Sequence, residues 1–300
     1  MGAMTTIEGI TFNDKQWFLE AAFPGLRRCK RDVFKIDQEI FKGKSRFQDI
    51  HIFKSRGFGR MLALDGIIQF SENDEFIYHE IIAHVPLLSH KNPKKFLVVG
   101  GGDGGVLREA AKHPLKELYH VEIDQEIVAL SKKYLSFVSK GVFSDKRLNA
   151  CFEDGIKFIK RYKDFFDVIV VDSTDPVGPG KVLFEKDFYR LIFSALKKDG
   201  LAIFQLGPFL DFDLIIRPTA KKLQSFFPVV RPVRLAMPSY SCGCEYCFMI
   251  ASKEVDPAKI GSAILSRRLK QRLGPKASSL KYYTPQIHQA SLAMPKLWQI

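Results

Sequence analysis

Carboxylates carry most of the chemistry that this chain offers, and they cluster in short polar motifs. Asp172 and Asp175 stand three residues apart in Asp172-Ser173-Thr174-Asp175-Pro176-Val177-Gly178-Pro179, a stretch braced by two prolines. Such a pair can hold an ammonium group or take a proton from it; turn-forming Asp residues are equally common, so the pair alone leaves both readings open. Asp103 sits inside Gly100-Gly101-Gly102-Asp103-Gly104-Gly105. Glycines there let backbone approach a ligand closely, and the spacing formally fits a dinucleotide loop. A carboxylate within the loop would repel a pyrophosphate, however, and suits a cation better. Glu122-Ile123-Asp124 follows about 20 residues later, where an acidic side chain grips ribose hydroxyls in NAD and S-adenosyl nucleosides alike. In Glu153-Asp154-Gly155, Asp154 has two readings: acceptor for an exocyclic adenine amine, or N-cap of the next helix. Converging on one crevice, Asp103, Asp172 and Asp175 would make a negative pocket in a chain of net charge +13, selecting a cationic substrate.

Something must bring these motifs together. Beyond residue 94 the chain repeats strand, turn and helix. Residues 96–99, 118–123, 166–171 and 201–205 are short, near-continuous apolar runs, as expected of parallel strands buried on both faces. Helices are expected near 105–112, 125–138, 155–163 and 185–197. The fold class is therefore α/β, a Rossmann-like doubly wound sheet, whose ligands bind beyond the carboxyl ends of the strands. Each motif above falls at such an end. Earlier, residues 33–40, 49–55 and 60–64 are β-like runs separated by Gly43-Lys44 and Gly57-Phe58-Gly59, which predicts a small antiparallel sheet. A helix is expected from 73 to about 88, with Asp74 and Glu75 in its first turn. Its spacing puts Asp74 and Tyr78 on one face, with Glu75 and His79 beside them. The expected division is a β-sheet domain over 5–70 and a catalytic domain over 71–300.

Composition removes several function classes. No run of about 18 apolar residues occurs, so no membrane partner is expected. The opening residues lack a secretory pattern, and Met1-Gly2-Ala3-Met4 reads as an expression remnant. Five cysteines, three of them at Cys242, Cys244 and Cys247, do not form a disulfide framework, which points to a reducing, cytoplasmic setting. Those three thiols have no fourth ligand at a convincing spacing, so no metal is expected. Basic residues are scattered, with the densest group at Arg267, Arg268, Lys270 and Arg272. That distribution reads as a solvated face and not as a nucleic-acid site. No chemical role is expected of His84, His90 or His113.

With these motifs in view, the chain resembles the spermidine synthases over nearly its whole length. The resemblance rests on Ser45-Arg46-Phe47-Gln48-Asp49, Leu64-Asp65-Gly66-Ile67-Ile68-Gln69 and Asp74-Glu75-Phe76-Ile77-Tyr78-His79-Glu80, then the glycine loop with Arg108-Glu109, and the motifs at Glu122, Asp154 and 172–179. It implies an aminopropyltransferase that makes spermidine and methylthioadenosine from putrescine and decarboxylated S-adenosylmethionine. By the same resemblance the donor would be a co-substrate, with no cofactor besides, and the assembly a homodimer or homotetramer. Gln48 and Glu122 would hold the donor ribose, and Asp154 and Gly155 the adenine, with Pro179 beside it. Asp103 and Tyr78 would bind the aminopropyl amine. Asp172 would be the general base and Asp175 would hold the acceptor amine, with His79, Ser173, Thr174, Gln205 and Tyr240 also on the acceptor side.

Three departures lie on that side. His79 stands where many members carry Gln, though a bacterial subset has His. Tyr240-Ser241-Cys242-Gly243 replaces Tyr-Pro-x-Gly, and no acidic residue follows Gln205 closely. Cadaverine, agmatine or spermidine are therefore alternative acceptors. A methyltransferase would share the fold, but it must accommodate a methionine carboxylate that Asp103 opposes.

Overall fold

The computed structural model describes residues 4–7, 10–13, 16–21, 32–173, 178–240 and 245–300. β1 (Met4–Ile7) pairs with β2 (Ile10–Asn13), and β3 (Trp17–Leu19) with β4 (Val33–Lys35), both antiparallel. β5 (Gln38–Lys44), β6 (Asp49–Ser55), β7 (Gly59–Leu64) and β8 (Ile67–Ser71) form a four-stranded antiparallel sheet in chain order. The strand expected over 33–40 is thus two strands. They pair with different partners, β4 with β3 and β5 with β6, and the chain switches between them at Ile36-Asp37. Asp65 and Gly66 join β7 to β8 with φ of 48° and 78°. Two positive values make a type I′ turn, whose twist matches that of the strands.

The second half alternates strands and helices: α1 (Glu75–Ser89), β9 (Lys95–Gly100), α2 (Gly105–Ala111), β10 (Glu117–Glu122), α3 (Gln125–Tyr134), α4 (Ser136–Ser139), β11 (Leu148–Phe152), α5 (Gly155–Ile159), β12 (Phe166–Asp172), α6 (Lys186–Ala195), β13 (Leu196–Pro208), α7 (Arg217–Gln224), β14 (Val229–Ala236), β15 (Glu245–Ser252), α8 (Ser262–Leu273) and α9 (Pro285–Ser291). The seven-stranded sheet runs β11-β10-β9-β12-β13-β15-β14. Six strands run in one direction; β15 is antiparallel to both β13 and β14. Helices cover both faces, as a Rossmann-like sheet requires. Phe96 and Val98 pack into one layer with α1 and α2, whereas Leu97 and Val99 enter the other with α5 and α6. Burial of alternate residues on opposite faces explains why these strands read as unbroken apolar runs.

One helix expected over 125–138 is broken at Leu135. Leu135 and Val138 turn into a seam with Ile50, Ile52 and Leu62 of the four-stranded sheet, and burying both there outweighs one continuous helix. The helix expected over 155–163 closes at Ile159.

Nearly every residue of α1 is buried, Glu75, His79, Glu80 and His84 included. The helix has no basic residue in its own last turn. Arg268 and Arg272 of α8 supply that charge, donating to the carbonyls of Leu87, Leu88, Ser89, His90 and Lys91, which are otherwise unsatisfied at a helix end. The Glu80 carboxylate accepts the backbone N–H groups of Lys281, Tyr282 and Tyr283 at 2.7–2.9 Å. Residues after 260 therefore hold α1 in place. Among the described residues no helix is long and apolar enough to cross a membrane.

Candidate active site

A cavity of about 250 Å³ opens at the carboxyl ends of β9, β10 and β12, roofed by α1 and the β5–β8 sheet. Its lining includes the carboxylates Glu20, Asp65, Asp103, Glu122, Glu153, Asp154 and Asp172, and no Lys or Arg among the described residues. A net positive protein thus presents a negative cavity.

The glycine loop leaves β9 beside β12, with Gly100 paired to Asp172. Gly100 has φ of 85°, and a Cβ there would lie 2.2 Å from the Asp172 carbonyl oxygen. Only glycine permits both the conformation and the approach. Asp103 Oδ1 accepts the Gly105 N–H at 2.6 Å and lies 3.3 Å from His79 Nε2. Both contacts fall on one oxygen. Burial raises the proton affinity of Asp103, but His79 and the Gly105 N–H more than reverse this, and it stays below the usual carboxylate range.

Asp172, at the end of β12, accepts the Tyr78 hydroxyl at 2.5 Å. Burial, then the neighbouring Asp103 charge, lifts its pKa to about 6, against the opposing effects of Tyr78 and His79. Burial and Asp172 push the Tyr78 hydroxyl well above its ordinary value, so it remains a donor.

Gln48, Glu122 and Asp154 form a second group. Asp124 caps α3 by accepting the Glu126 N–H, and its other oxygen accepts from Gln48 Nε2 at 2.8 Å and Ser45 Oγ at 2.6 Å. The Asp124 N–H donates to Glu122 Oε1 at 2.9 Å. One residue therefore braces both lining groups. Burial is the main cause that raises Glu122 to about 7, with Asp124 and Asp172 adding to it. Asp154 Oδ1 caps α5 through the Ile156 and Lys157 N–H groups. Asp154 and Gly155 both line the cavity, as do the exposed apolar side chains of Ile123 and Val182.

The third group is aromatic. Tyr78, Tyr240 and Tyr246 have ring centroids 4.8–6.1 Å apart. Tyr240 donates to the Gln69 carbonyl at 2.5 Å, and Gln205 Nε2 bonds the Tyr246 hydroxyl. Asp74 anchors this end, accepting from Ser239 N at 2.7 Å, Ser239 Oγ at 2.9 Å and Ser71 Oγ at 2.7 Å. Glu20 Oε1 accepts the Ile68 N–H there.

The cavity lining thus unites Gln48, Tyr78, His79, Asp103, Glu122, Asp154, Gly155, Asp172, Ser173, Gln205 and Tyr240. Thr174 and Asp175 lie outside the described residues, as do Cys242 and Cys244, and for Pro179 only the backbone is described. Cys247 is buried in the core of the sheet, and that burial raises its thiol pKa. Tyr246 and the bracing roles of Asp74 and Asp124 escaped the sequence motifs. The only signal for Tyr246 was its place in an apolar strand pattern.

Far from this cavity, ligand atoms of His90, Asp167 and Asp199 come within 4.8 Å of one another. Asp167 already accepts from Lys94 N, Lys95 N and Lys197 Nζ, so it suits an internal ion pair better than a metal.

Residues 75–259 match the spermine/spermidine synthase domain, and residues 16–72 the spermidine synthase tetramerisation domain. A polyamine aminopropyltransferase of Caldicellulosiruptor saccharolyticus is 43% identical over 286 residues, 94% of this chain and 96% of that protein. One from a Thermoanaerobacter species is 39% identical over 282 residues, 93% and 96% of the two chains. The crystal structure of a spermidine synthase in complex with the transition-state analogue AdoDATO superposes with a TM-score of 0.85 at 35% identity, covering 94% of this chain and 92% of that one. Spermidine synthase from Thermotoga maritima gives 0.83 at the same identity and coverage. On this evidence of sequence, fold and cavity, the chain belongs to the spermine/spermidine synthase family, the polyamine aminopropyltransferases.

Proposed function

We propose that this enzyme transfers the aminopropyl group of decarboxylated S-adenosylmethionine to putrescine, giving spermidine and methylthioadenosine, with Asp172 as general base. The observation that carries the reading is Asp172 itself. It is a half-buried carboxylate, more basic than usual, aligned by Tyr78 and set beside Asp103 in a cavity of carboxylates.

The donor's sulfonium makes the adjacent CH₂ electrophilic. The acceptor nitrogen forms the new C–N bond as the C–S bond breaks, and the sulfur keeps the electron pair, leaving neutral methylthioadenosine. The nitrogen must first lose a proton. For an amine of pKa about 10.4 that costs roughly 4–5 kcal/mol at pH 7. Asp172, raised to about 6, meets more of that cost than an ordinary carboxylate, and holding both reactants in line contributes much of the rest. Asp103, with Tyr78, takes the aminopropyl ammonium. Glu122 and Gln48 take the ribose, and Asp154 with Gly155 the adenine between Ile123 and Val182. Asp175 and Thr174 would meet the acceptor nitrogen with Ser173, while Gln205, Tyr240, Tyr246 and Glu20 surround its far end. The enzyme would work in the cytoplasm without a further cofactor, as a homodimer or homotetramer, in keeping with the name of the domain matched by residues 16–72.

The test is to incubate the enzyme with decarboxylated S-adenosylmethionine and, in turn, putrescine, cadaverine, agmatine and spermidine, and to identify products by mass. Putrescine should turn over best. A preference for spermidine or agmatine would replace the acceptor while leaving the donor intact.

A further inference from the structure

Arg108, Glu109 and Glu75 belong to sequence motifs, yet the reaction above gives none of them a task. They meet at His79. Its Nδ1 lies 2.5 Å from Glu75 Oε2, and its Nε2 lies 3.3 Å from Asp103 Oδ1. Ionised carboxylates only accept hydrogen bonds. A ring whose two nitrogens both face carboxylates must donate from both, and such a ring is an imidazolium.

The arrangement behind Glu75 keeps it ionised. Arg108 forks onto it, Nη1 to Oε1 at 3.0 Å and Nη2 to Oε2 at 2.9 Å. The same guanidinium reaches Glu109 at 2.7 Å and the Val138 carbonyl at 2.7 Å. Signs alternate from the cavity inward through Asp103, His79, Glu75, Arg108 and Glu109. The ring is also locked in place: a Cβ at Gly105 would fall 2.4 Å from it, and Phe70 of β8 stands 6.3 Å away, edge-on. The charged and titratable groups around it are Glu75 and Tyr78 on α1, Asp103 on the glycine loop, Arg108 on α2, and Asp172 on β12.

We propose that His79 is a permanently charged imidazolium, held so by Glu75 and Arg108 as positioning residues, which keeps Asp103 and Asp172 ionised and turns the second oxygen of Asp103 toward the substrate amine. The inference rests on Asp103 and Asp172 having the roles given above. Two carboxylates close together disfavour each other's ionisation, and Asp103 does act this way on Asp172 while His79 acts against it. Burial alone would strip the proton from His79; Asp103 and Glu75 overcome this and hold its pKa at about 10.

Two measurements test this. In the wild-type enzyme, nitrogen NMR of the histidine rings should find both His79 nitrogens protonated from pH 6 to pH 8.5. A neutral His79 within that range overturns the proposal. In Glu75→Gln the same ring should titrate below pH 8.5, and a ring that stays protonated removes Glu75 from the role. The kinetic arm uses His79→Gln, which keeps a donor for Asp103 but has no charge. Removing a cation near Asp172 should raise the acid limb of kcat/KM by about one pH unit, the low end for a neighbouring charge. Whatever its activity at pH 8.5, the variant's deficit should then grow about ten-fold by pH 5. A deficit equal at both pH values overturns the proposal, provided the wild type transfers the aminopropyl group. If the wild type transfers none, the proposed function itself has failed.

Discussion

The two ends of the cavity are built by different means. At the nucleoside end, the carboxylates are fixed by near neighbours in the chain, and one longer bond, across 76 positions, ties Gln48 to Asp124. Asp154 caps the helix that begins one residue later, and Asp124 caps α3 while donating to Glu122 two residues back. At the amine end, Asp103 and Asp74 keep local bonds to Gly105 and Ser71, but the bonds that join the elements run between partners distant in sequence. Tyr78 reaches Asp172 across 94 positions, Asp74 reaches Ser239 across 165, and Tyr240 reaches the Gln69 carbonyl across 171. Short-range geometry survives small changes elsewhere, whereas long-range geometry depends on the whole fold. The nucleoside end can therefore stay constant while the amine end is retuned for another acceptor, and His79, Gln205 and Tyr240, where the departures from the family pattern occur or begin, line the cavity at the amine end.

The sharpest way to break this comparison is to remove the base. Asp172→Asn keeps the shape and loses basicity, so turnover should fall by about two to four orders of magnitude. Methylthioadenosine affinity, by calorimetry, should hardly move if the ends are independent. Next in size is the donor's carboxylate. Asp103 would face it directly, and like charges in contact cost several kcal/mol. Decarboxylated S-adenosylmethionine should therefore bind roughly a hundred-fold more tightly than S-adenosylmethionine, with Asp103→Asn narrowing the gap; equal wild-type affinities would remove Asp103 from amine recognition. Smaller again is acceptor length. With hydrogen bonds from Gln205, Tyr240 and Tyr246 around the far end, putrescine should exceed cadaverine by about 1–3 kcal/mol in transition-state binding for one methylene. Comparing kcat/KM for the two diamines measures it. The smallest effect belongs to Glu122, whose pKa of about 7 reflects burial first and the Asp124 and Asp172 charges second. Ribose hydroxyls donate best to the ionised form. Methylthioadenosine, which is uncharged, should then bind about ten-fold more weakly at pH 6 than at pH 8, releasing a proton on binding near pH 7. A flat profile would show that Glu122 does not carry the ribose.

The same contrast governs how much was legible in the sequence. The parallel strands announced themselves because burial on both faces leaves no alternation, and the motifs at Gly100, Glu122, Asp154 and Asp172 fall at strand ends by chain geometry alone. Asp154 shows that two local readings can coexist: one oxygen caps α5 while the residue still lines the cavity. Nothing local marks Tyr246. It faces the cavity only because β15 is inserted antiparallel between β13 and β14, a pairing between residues far apart in sequence. Leu135 likewise ends a helix for the sake of a seam with strands that precede it by more than seventy positions. Helix propensity carries no record of such a partner. His79 was legible as a cavity residue, but its two carboxylate neighbours come from different elements, and so its charge was not.

The fastening of α1 by later parts of the chain has a consequence for how the enzyme comes into being. Its last carbonyls receive donors from residues 179–185 positions downstream, and Glu80 waits for backbone that lies 201–203 positions on. During synthesis, the glycine loop and the first strands of the sheet leave the ribosome long before those partners exist. Contacts of such separation are slow to close. The nascent chain should thus acquire a nucleoside pocket before it acquires a fixed Tyr78 or His79. Amine chemistry would be the last property to mature, switched on only when α8 and the segment after it dock against a helix made some two hundred residues earlier.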